Sequence, residues 1–495
     1  MSTAPPVTRE AAPEPPTLDT GLTKKFGWFD GFSLAMCIPT GIITSLGYTI
    51  GAVGAWAALA FWGATTLLAL LQNYLYAEMA TMFPRETGGI ALYAHQGWRR
   101  YLTLVGPVAT FGYWMGWSLT LGVVGETLGG IVQAQWFPTA TWSLDLGVAH
   151  IQLPQLIAIV AVVFSWSVNV VGIKLAAGIS RVIASVFVVF VVLVMSVPFL
   201  AGGWHAANLS WHPGKHPVTT ALVWMYVGAW TVYGTEICAT FAPEYRDTRR
   251  DTLRSLKSSA LFVLAVFVVV PMSTTGLLGE KAIGANPLTF SVMALQRVFG
   301  NGVSSALVLV VIAVLLLSMI SASADGGRAI YGIAREGMTL RQFESLNRFG
   351  EPGRALTLDM LTNTLIVVFI ASPLAILLAA NLGYMICTIS AVSAFLLLRK
   401  DRPHWPRPFK LSRRWLPIAW AILLLDIAIT VVGATHPQDA GYGSLANVGI
   451  GVGLLSLSLV FYVVRRVGQD RKPIVLQERE HVVAPEPEPV APGLE

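Results

Sequence analysis

What most limits the folds open to this chain is a series of apolar runs. Each is roughly twenty residues or longer, enough to cross the ~30 Å hydrocarbon core of a bilayer as a helix. Twelve such runs stand at approximately 29–52, 55–83, 105–132, 153–172, 178–201, 219–243, 258–279, 301–325, 357–377, 380–398, 415–434 and 443–464. Of the 495 residues, 54% are hydrophobic and only 12% charged, far from soluble averages. The expected fold class is an all-α integral membrane protein with twelve transmembrane helices.

Assigning the loops alternately to two sides leaves only Lys215, Lys281 and Arg297, of 33 Lys and Arg, on the side away from the N-terminus. Most of the remainder cluster at Lys24/Lys25, Arg99/Arg100, 246–257, 328–354, 399–414 and 465–479. Basic loops stay cytoplasmic, so both termini are expected there, in a multi-pass protein of the cell membrane. The net charge of +6 then needs no nucleic acid to explain it. Residues 1–22 and 466–495 are Pro- and Glu-rich and are expected as disordered tails around a transporter domain at 23–465. No cleavable signal is visible, because the first apolar run is too long for an h-region. Cys37, Cys238 and Cys387 all fall within spans, with no disulfide framework or metal spacing, and no cofactor is expected.

Two of the spans are broken. Pro39 and Gly41 interrupt Ile38–Tyr48, and Gly234 beside Glu236 weakens Val232–Tyr245. Backbone freed from helical bonding at membrane depth is tolerated only where protein or a water-filled cavity satisfies it, and paired breaks in two halves point to a substrate site. The breaks lie in the first and sixth spans. Five spans (about 29–201), five more (about 219–398) and two extra helices (about 415–464) suggest a 5+5 inverted repeat that brings both breaks to the midplane. The half-helix after Gly41 presents its N-terminus, suited to a carboxylate, and the sixth span presents carbonyls, suited to an ammonium group.

Several motifs are similar to those of the amino acid–polyamine–organocation permeases, and the resemblance spans roughly 26–465. They are AEMATMFPRETGGIALYAHQG at 77–97, NVVGIK at 169–174, GGRAIYGIAREGM at 326–338, and Trp230-Thr-Val-Tyr-Gly234-Thr-Glu236 followed by Glu244. IPTGIITS and GYWMGWS (112–118) lean toward the branch carrying GABA and choline. The resemblance implies a leucine-transporter-type fold. It places Pro39, Thr40 and Gly41 at the family's GSG triplet; proline has no N–H, leaving Gly41, Ile42 and the Thr40 hydroxyl as candidate donors. It also implies that Trp230 gates the site, that carbonyls around Trp230–Tyr233 before Gly234 hold the amine, and that Ala322 faces substrate. Some proton-coupled members carry a fifth-span lysine, which would fall near Phe187; no lysine lies in that span.

Two interior carboxylates, Glu236 and Asp325, and two hydroxyls complete the candidate set. Glu236 sits mid-span, where an ionised carboxylate costs roughly 2.5–3.5 kcal/mol on insertion scales, so it is expected to be partnered or protonated. Asp325 lies one turn beyond Ala322, with Ser318 and Ser321 nearby, and is a titrating group, a cation ligand or a partner of Arg328. Asp426 reads as scaffold or as a homodimer contact, Glu78 as a brace for a loop arginine, and Glu126 as a vestibule charge. The function expected is secondary active transport of an amino acid or small amine by alternating access. Protons, a counter-substrate or, alternatively, sodium would drive it. A channel lacks a filter motif here, a primary pump lacks GxxxxGK[ST], and a membrane enzyme lacks a nucleophile–base set.

Overall fold

The computed structural model describes residues 27–478 apart from 37, 84–85, 87, 148, 172–175, 241–244, 371 and 442. Glu244 and both distal tails lie outside these residues. The first half comprises α1 (Trp28–Ala35), α2 (Gly47–Val53), α3 (Ala55–Met82), α4 (Gly89–Trp98), α5 (Val105–Ser118), α6 (Thr120–Trp136), α7 (Leu153–Val171) and α8 (Ala176–Leu200). The second comprises α9 (Pro217–Val232), α10 (Ile237–Thr240), α11 (Thr248–Leu278), α12 (Glu280–Ala285), α13 (Phe290–Phe299), α14 (Ser304–Arg335), α15 (Gly353–Phe369) and α16 (Pro373–Asp401). Helices α17 (Trp415–Thr435) and α18 (Leu445–Val463) follow. The fold is mostly helical; among the described residues the two strands are a short antiparallel hairpin, β1 (Ser143–Asp145) with β2 (His150–Gln152), in the loop after α6.

Among the described residues eight helical segments are long and apolar enough to cross a membrane: α3, the near-continuous α5–α6, α7, α11, α14, α16, α17, and α18 with its extension. Twelve were expected. The run at 178–201 is the 25-residue α8, those at 29–52 and 219–243 are divided into short pieces, and 357–377 yields the 17-residue α15. Exposed apolar side chains such as Leu361, Leu365, Phe369, Trp420, Leu424 and Val431 form the outer surface, as lipid contact requires.

Helix α16 is the centre of the packing, against α4, α5, α9, α17 and α18. Its approach to α5 depends on paired glycines. A methyl built on Gly383 would stand 3.0 Å from Gly112 Cα, so the two backbones touch with no side chain between them. Local signals set the helix ends: Asp247 Oδ1 accepts from Arg250 N (2.8 Å) to cap α11, and Pro373 follows the Ser372 cap of α16.

The end bearing the basic loops is closed by a strap. A π-helical turn, Val464–Gln469, continues α18. The chain then returns across the α4–α5 connection: Thr103 N donates to Leu476 O (2.9 Å), Thr103 Oγ1 to Val475 O (2.5 Å) and Glu478 N to Arg99 O (3.0 Å). Asp470 accepts from Arg465 Nε (2.9 Å) and Arg341 Nη2 (2.7 Å). Residues 466–478, read from composition as part of a disordered tail, are thus held by backbone hydrogen bonds and an Arg–Asp clamp rather than by apolar burial.

The hydrogen bond from Arg465, then that from Arg341, keeps the Asp470 carboxyl below its usual range. A lowered folded value means the clamp contributes fully above pH ~4 and is lost as pH falls through that lower value. Asp470→Asn at neutral pH should speed amide exchange over 471–478 about fivefold, the factor that a loss of ~1 kcal/mol gives. Hydrogen-exchange mass spectrometry checks this; unchanged protection would mean that the backbone bonds alone hold the strap.

Candidate functional site

The first run is helical to Ala35, turns through a 3-10 segment at Ile38–Thr40, and resumes as a π-helical turn (Ile42–Leu46) before α2. The second run leaves α9 at Val232, passes through a 3-10 turn at Tyr233–Glu236, and continues as α10. The irregular segments pack against each other. Gly41 faces Thr231, where an added methyl would lie 2.8 Å from Thr231 Oγ1 and closer still to its methyl group. Gly234 faces Ile38 and Trp117, at 3.3 and 3.6 Å from the same construction. Small residues at both breaks let the chain segments approach.

Between them lies a narrow cavity of about 40 Å³, room for a few waters. Its lining includes Thr40, Trp230, Thr231, Gly234, Ser318 and Tyr384. Of the expected residues, Thr40, Trp230, Gly234 and Ser318 line it. Gly41 stands against Thr231 beside it, while Ile42, Tyr233, Ser321 and Ala322 are not part of the lining. Trp230 is half-buried, and its Nε1 donates to Gly116 O on α5 (3.2 Å), so the indole bridges α9 to α5. Gly116, Trp117 and Thr120 complete the wall from the α5–α6 junction.

Glu236 is fully buried within the second break. Its Oε1 accepts from Tyr384 Oη on α16 (2.6 Å), and its Oε2 has no hydrogen-bond partner. Trp117 Nε1 and Thr231 Oγ1 are also buried without partners. Trp117 and Thr231 line the cavity, and Glu236 stands behind the lining, reached through Tyr384 and neighboured by Trp117, so one N–H donor, one hydroxyl and a carboxylate lie close together. Tyr384, Trp117 and Thr231 escaped the sequence reading because aromatic and threonine side chains in an apolar run resemble ordinary core. The local signal for Trp117 was its place inside GYWMGWS.

The breaks are braced from outside the cavity. Tyr233 Oη donates to Asp426 Oδ1 on α17 (2.7 Å), and Gln72 Nε2 on α3 donates to both Asp426 oxygens (3.2 and 2.9 Å). Asn73 Nδ2 donates to Thr235 Oγ1 (2.9 Å). Asp426 is wholly buried and bonded to the 3-10 turn. Glu78 meets Arg399 and Arg407 and accepts from Leu411 N (2.8 Å), a loop brace as expected. Asp325 is nine-tenths buried with Oδ2 unpartnered, and Arg328 turns instead to Glu351 (3.9 Å) with its side chain about half exposed. Glu126 is buried on α6 with Oε1 unpartnered.

The family model for amino acid permeases matches residues 26–455, nearly all of the helical body. The chain belongs to the amino acid permease family. It is 25% identical over 343 residues to the amino-acid permease RocE of Bacillus subtilis, covering 66% of this chain and 69% of that protein. It is 24% identical over 428 residues to a probable GABA permease of Pseudomonas aeruginosa, covering 82% and 85%. The protein is accordingly a multi-pass membrane transporter, and the packed breaks are the natural place to seek the substrate.

The Gly41–Thr231 contact gives a direct check. Gly41→Ala should reduce transport at least about tenfold, because the added methyl cannot clear Thr231 without moving a break. The double variant Gly41→Ala with Thr231→Ser should recover part of it by removing the obstructing methyl. Uptake by the two variants at matched expression decides; full activity in Gly41→Ala would show that the breaks can separate without cost.

Proposed function

We propose that this permease is a secondary active transporter that moves an amino acid or small amine across the cell membrane by alternating access, coupled to protons or run as an exchanger. The observation that carries the reading is the convergence of two helix breaks on a cavity beside a buried carboxylate with one oxygen unpartnered. In this reading twelve spans form a 5+5 inverted repeat plus two, with both termini cytoplasmic.

The ends of the solute would be recognised separately. Its carboxylate would meet the amides near Gly41 and Ile42 and the Thr40 hydroxyl, at the start of the outer half-helix. Its ammonium group would meet carbonyls at Trp230–Tyr233 and the free Glu236 oxygen, with Thr231 and Ser318 as neighbouring hydroxyls. A cavity of about 40 Å³ cannot hold an amino acid, so entry requires Trp230 to leave Gly116. The indole thus acts as the gate. Glu236, tied by Tyr384 to α16, and Asp325, with its free oxygen, are the coupling carboxylates, with Ser318 and Ser321 on the same helix.

Trp230→Ala should keep normal expression while weakening apparent affinity by at least about tenfold, or ~1.4 kcal/mol. Glu236→Gln should flatten the pH profile of uptake, since an amide keeps the shape but cannot titrate. Asp325→Asn should abolish concentrative uptake more than counterflow. Substrate-panel uptake in proteoliposomes, with sodium removed or the proton gradient collapsed, tests all three; a wild-type profile in Glu236→Gln would make that residue structural.

A further inference from the structure

One buried acid has no part in the site so far. Asp359, in α15, is 0% exposed, and its carboxyl oxygens face Ser118, Trp114 and Ser323 with none of them at full hydrogen-bonding geometry. Its carboxyl group lies against Gly326, the residue after Asp325: a methyl there would stand 3.0 Å from Asp359 Oδ1. Asp325, the residue before Gly326, brings a second carboxyl group to the same α14–α15 contact.

Each packed element presents identifiable groups. From α5 come Ser118 and Trp114, and from α14 come Ser323, Gly326 and Asp325. Trp114 Nε1 and Ser323 Oγ are themselves buried and without partners. On α15 the Asn363 amide joins Asp359 O (2.9 Å) to Ser118 Oγ (3.0 Å). From α7, Trp166 Nε1 donates to Thr357 Oγ1 (3.2 Å). Arg328, within electrostatic reach of Asp325, faces Glu351, and Arg354 in the first turn of α15 is exposed.

Two carboxylates cannot both be ionised in such a setting without a resident proton or cation. An indole N–H only donates, so Trp114 suits a carboxyl oxygen and repels a metal ion; the proton is the fitting occupant. The pair also ends a sequence of groups. Glu236 Oε1 accepts from Tyr384 Oη (2.6 Å), the Tyr384 and Tyr113 rings are 6.3 Å apart, and Tyr113 approaches Asp325. Beyond the pair, Arg328 reaches the surface one helical turn from Asp325.

We propose that Asp359 and Asp325 form a proton-holding pair, which takes the coupling proton from Glu236 and releases it to water at the basic end of the bundle. This rests on the proton-coupled reading above. One proton moves per step: it leaves the Glu236 carboxyl, the ionised member of the pair accepts it, and it departs as the pair returns to its singly charged form.

The test uses the full-length protein in liposomes with an entrapped pH dye. Asp359→Asn should cut substrate-dependent proton entry and concentrative uptake by about tenfold or more, while counterflow stays within about twofold of wild type. Equal loss of counterflow, or unaltered proton entry, overturns the proposal. If the wild type moves no proton with substrate, the proton-coupled reading falls and the pair with it; if it does and Asp359→Asn matches it, only the pair falls. Should Asp359→Asn not fold, Ser323→Ala, which removes one facing hydroxyl, should lower protons moved per substrate about threefold, and no change overturns the proposal. Infrared difference spectra after a pH jump give an independent readout. A protonated-carboxyl band present in wild type should be absent or shifted in the variant, and an identical band overturns the assignment.

Discussion

Every backbone amide and carbonyl at membrane depth must find a partner, and two stretches of this chain do not find theirs in a regular helix. The rest of the structure is arranged around that constraint. Around the 3-10 turn at Tyr233–Glu236, side chains from α3, α16 and α17 hold the conformation: Asn73 on Thr235, Tyr384 on Glu236 and Asp426 on Tyr233. Around the first break the device is steric, with Gly41 allowing Thr231 to close against it. The second break is tied by side-chain hydrogen bonds from other helices, the first by close contact and a local bond from Ser45 Oγ to Gly41 O (3.1 Å), so they differ in what it takes to disturb them.

Asp426 shows how far the bracing extends. Helix α17 lies outside the two five-span halves inferred from sequence, yet its one carboxylate holds Tyr233 and is itself held by Gln72 of α3. A buried acid with a phenol and an amide donating to it is a satisfied network, and removing one partner would strand the others. The helix is part of the support for the broken segment, whatever it contacts on its outer face.

Hydropathy made the long spans legible, and Pro39, Gly41 and Gly234 made the interruptions legible, because those residues oppose a helix for local reasons. Trp230 stood out for similar reasons, being a large amphipathic ring far from either end of its run. What stayed hidden depends on partners. Tyr384 differs from any buried tyrosine only through Glu236, 148 positions away, and Thr231 only through Gly41. Asp359, inside the run at 357–377, was masked by the apolar residues around it, and it gains meaning from Gly326 on another helix. The strap at 466–478 was misread because composition measures apolar burial and is blind to backbone bonds such as Thr103 N to Leu476 O. Three of the twelve runs do not appear as single long helices, two of them because interruption also divides a helix.

The bare Gly112–Gly383 contact binds α5 and α16 as if they were one beam. The beam carries Gly116, which latches the indole of Trp230, and Tyr384, which grips Glu236. Latch and grip therefore share one fulcrum. A tilt of the beam against the broken segment would strain both bonds in the same stroke, so neither can be loosened by that motion without the other.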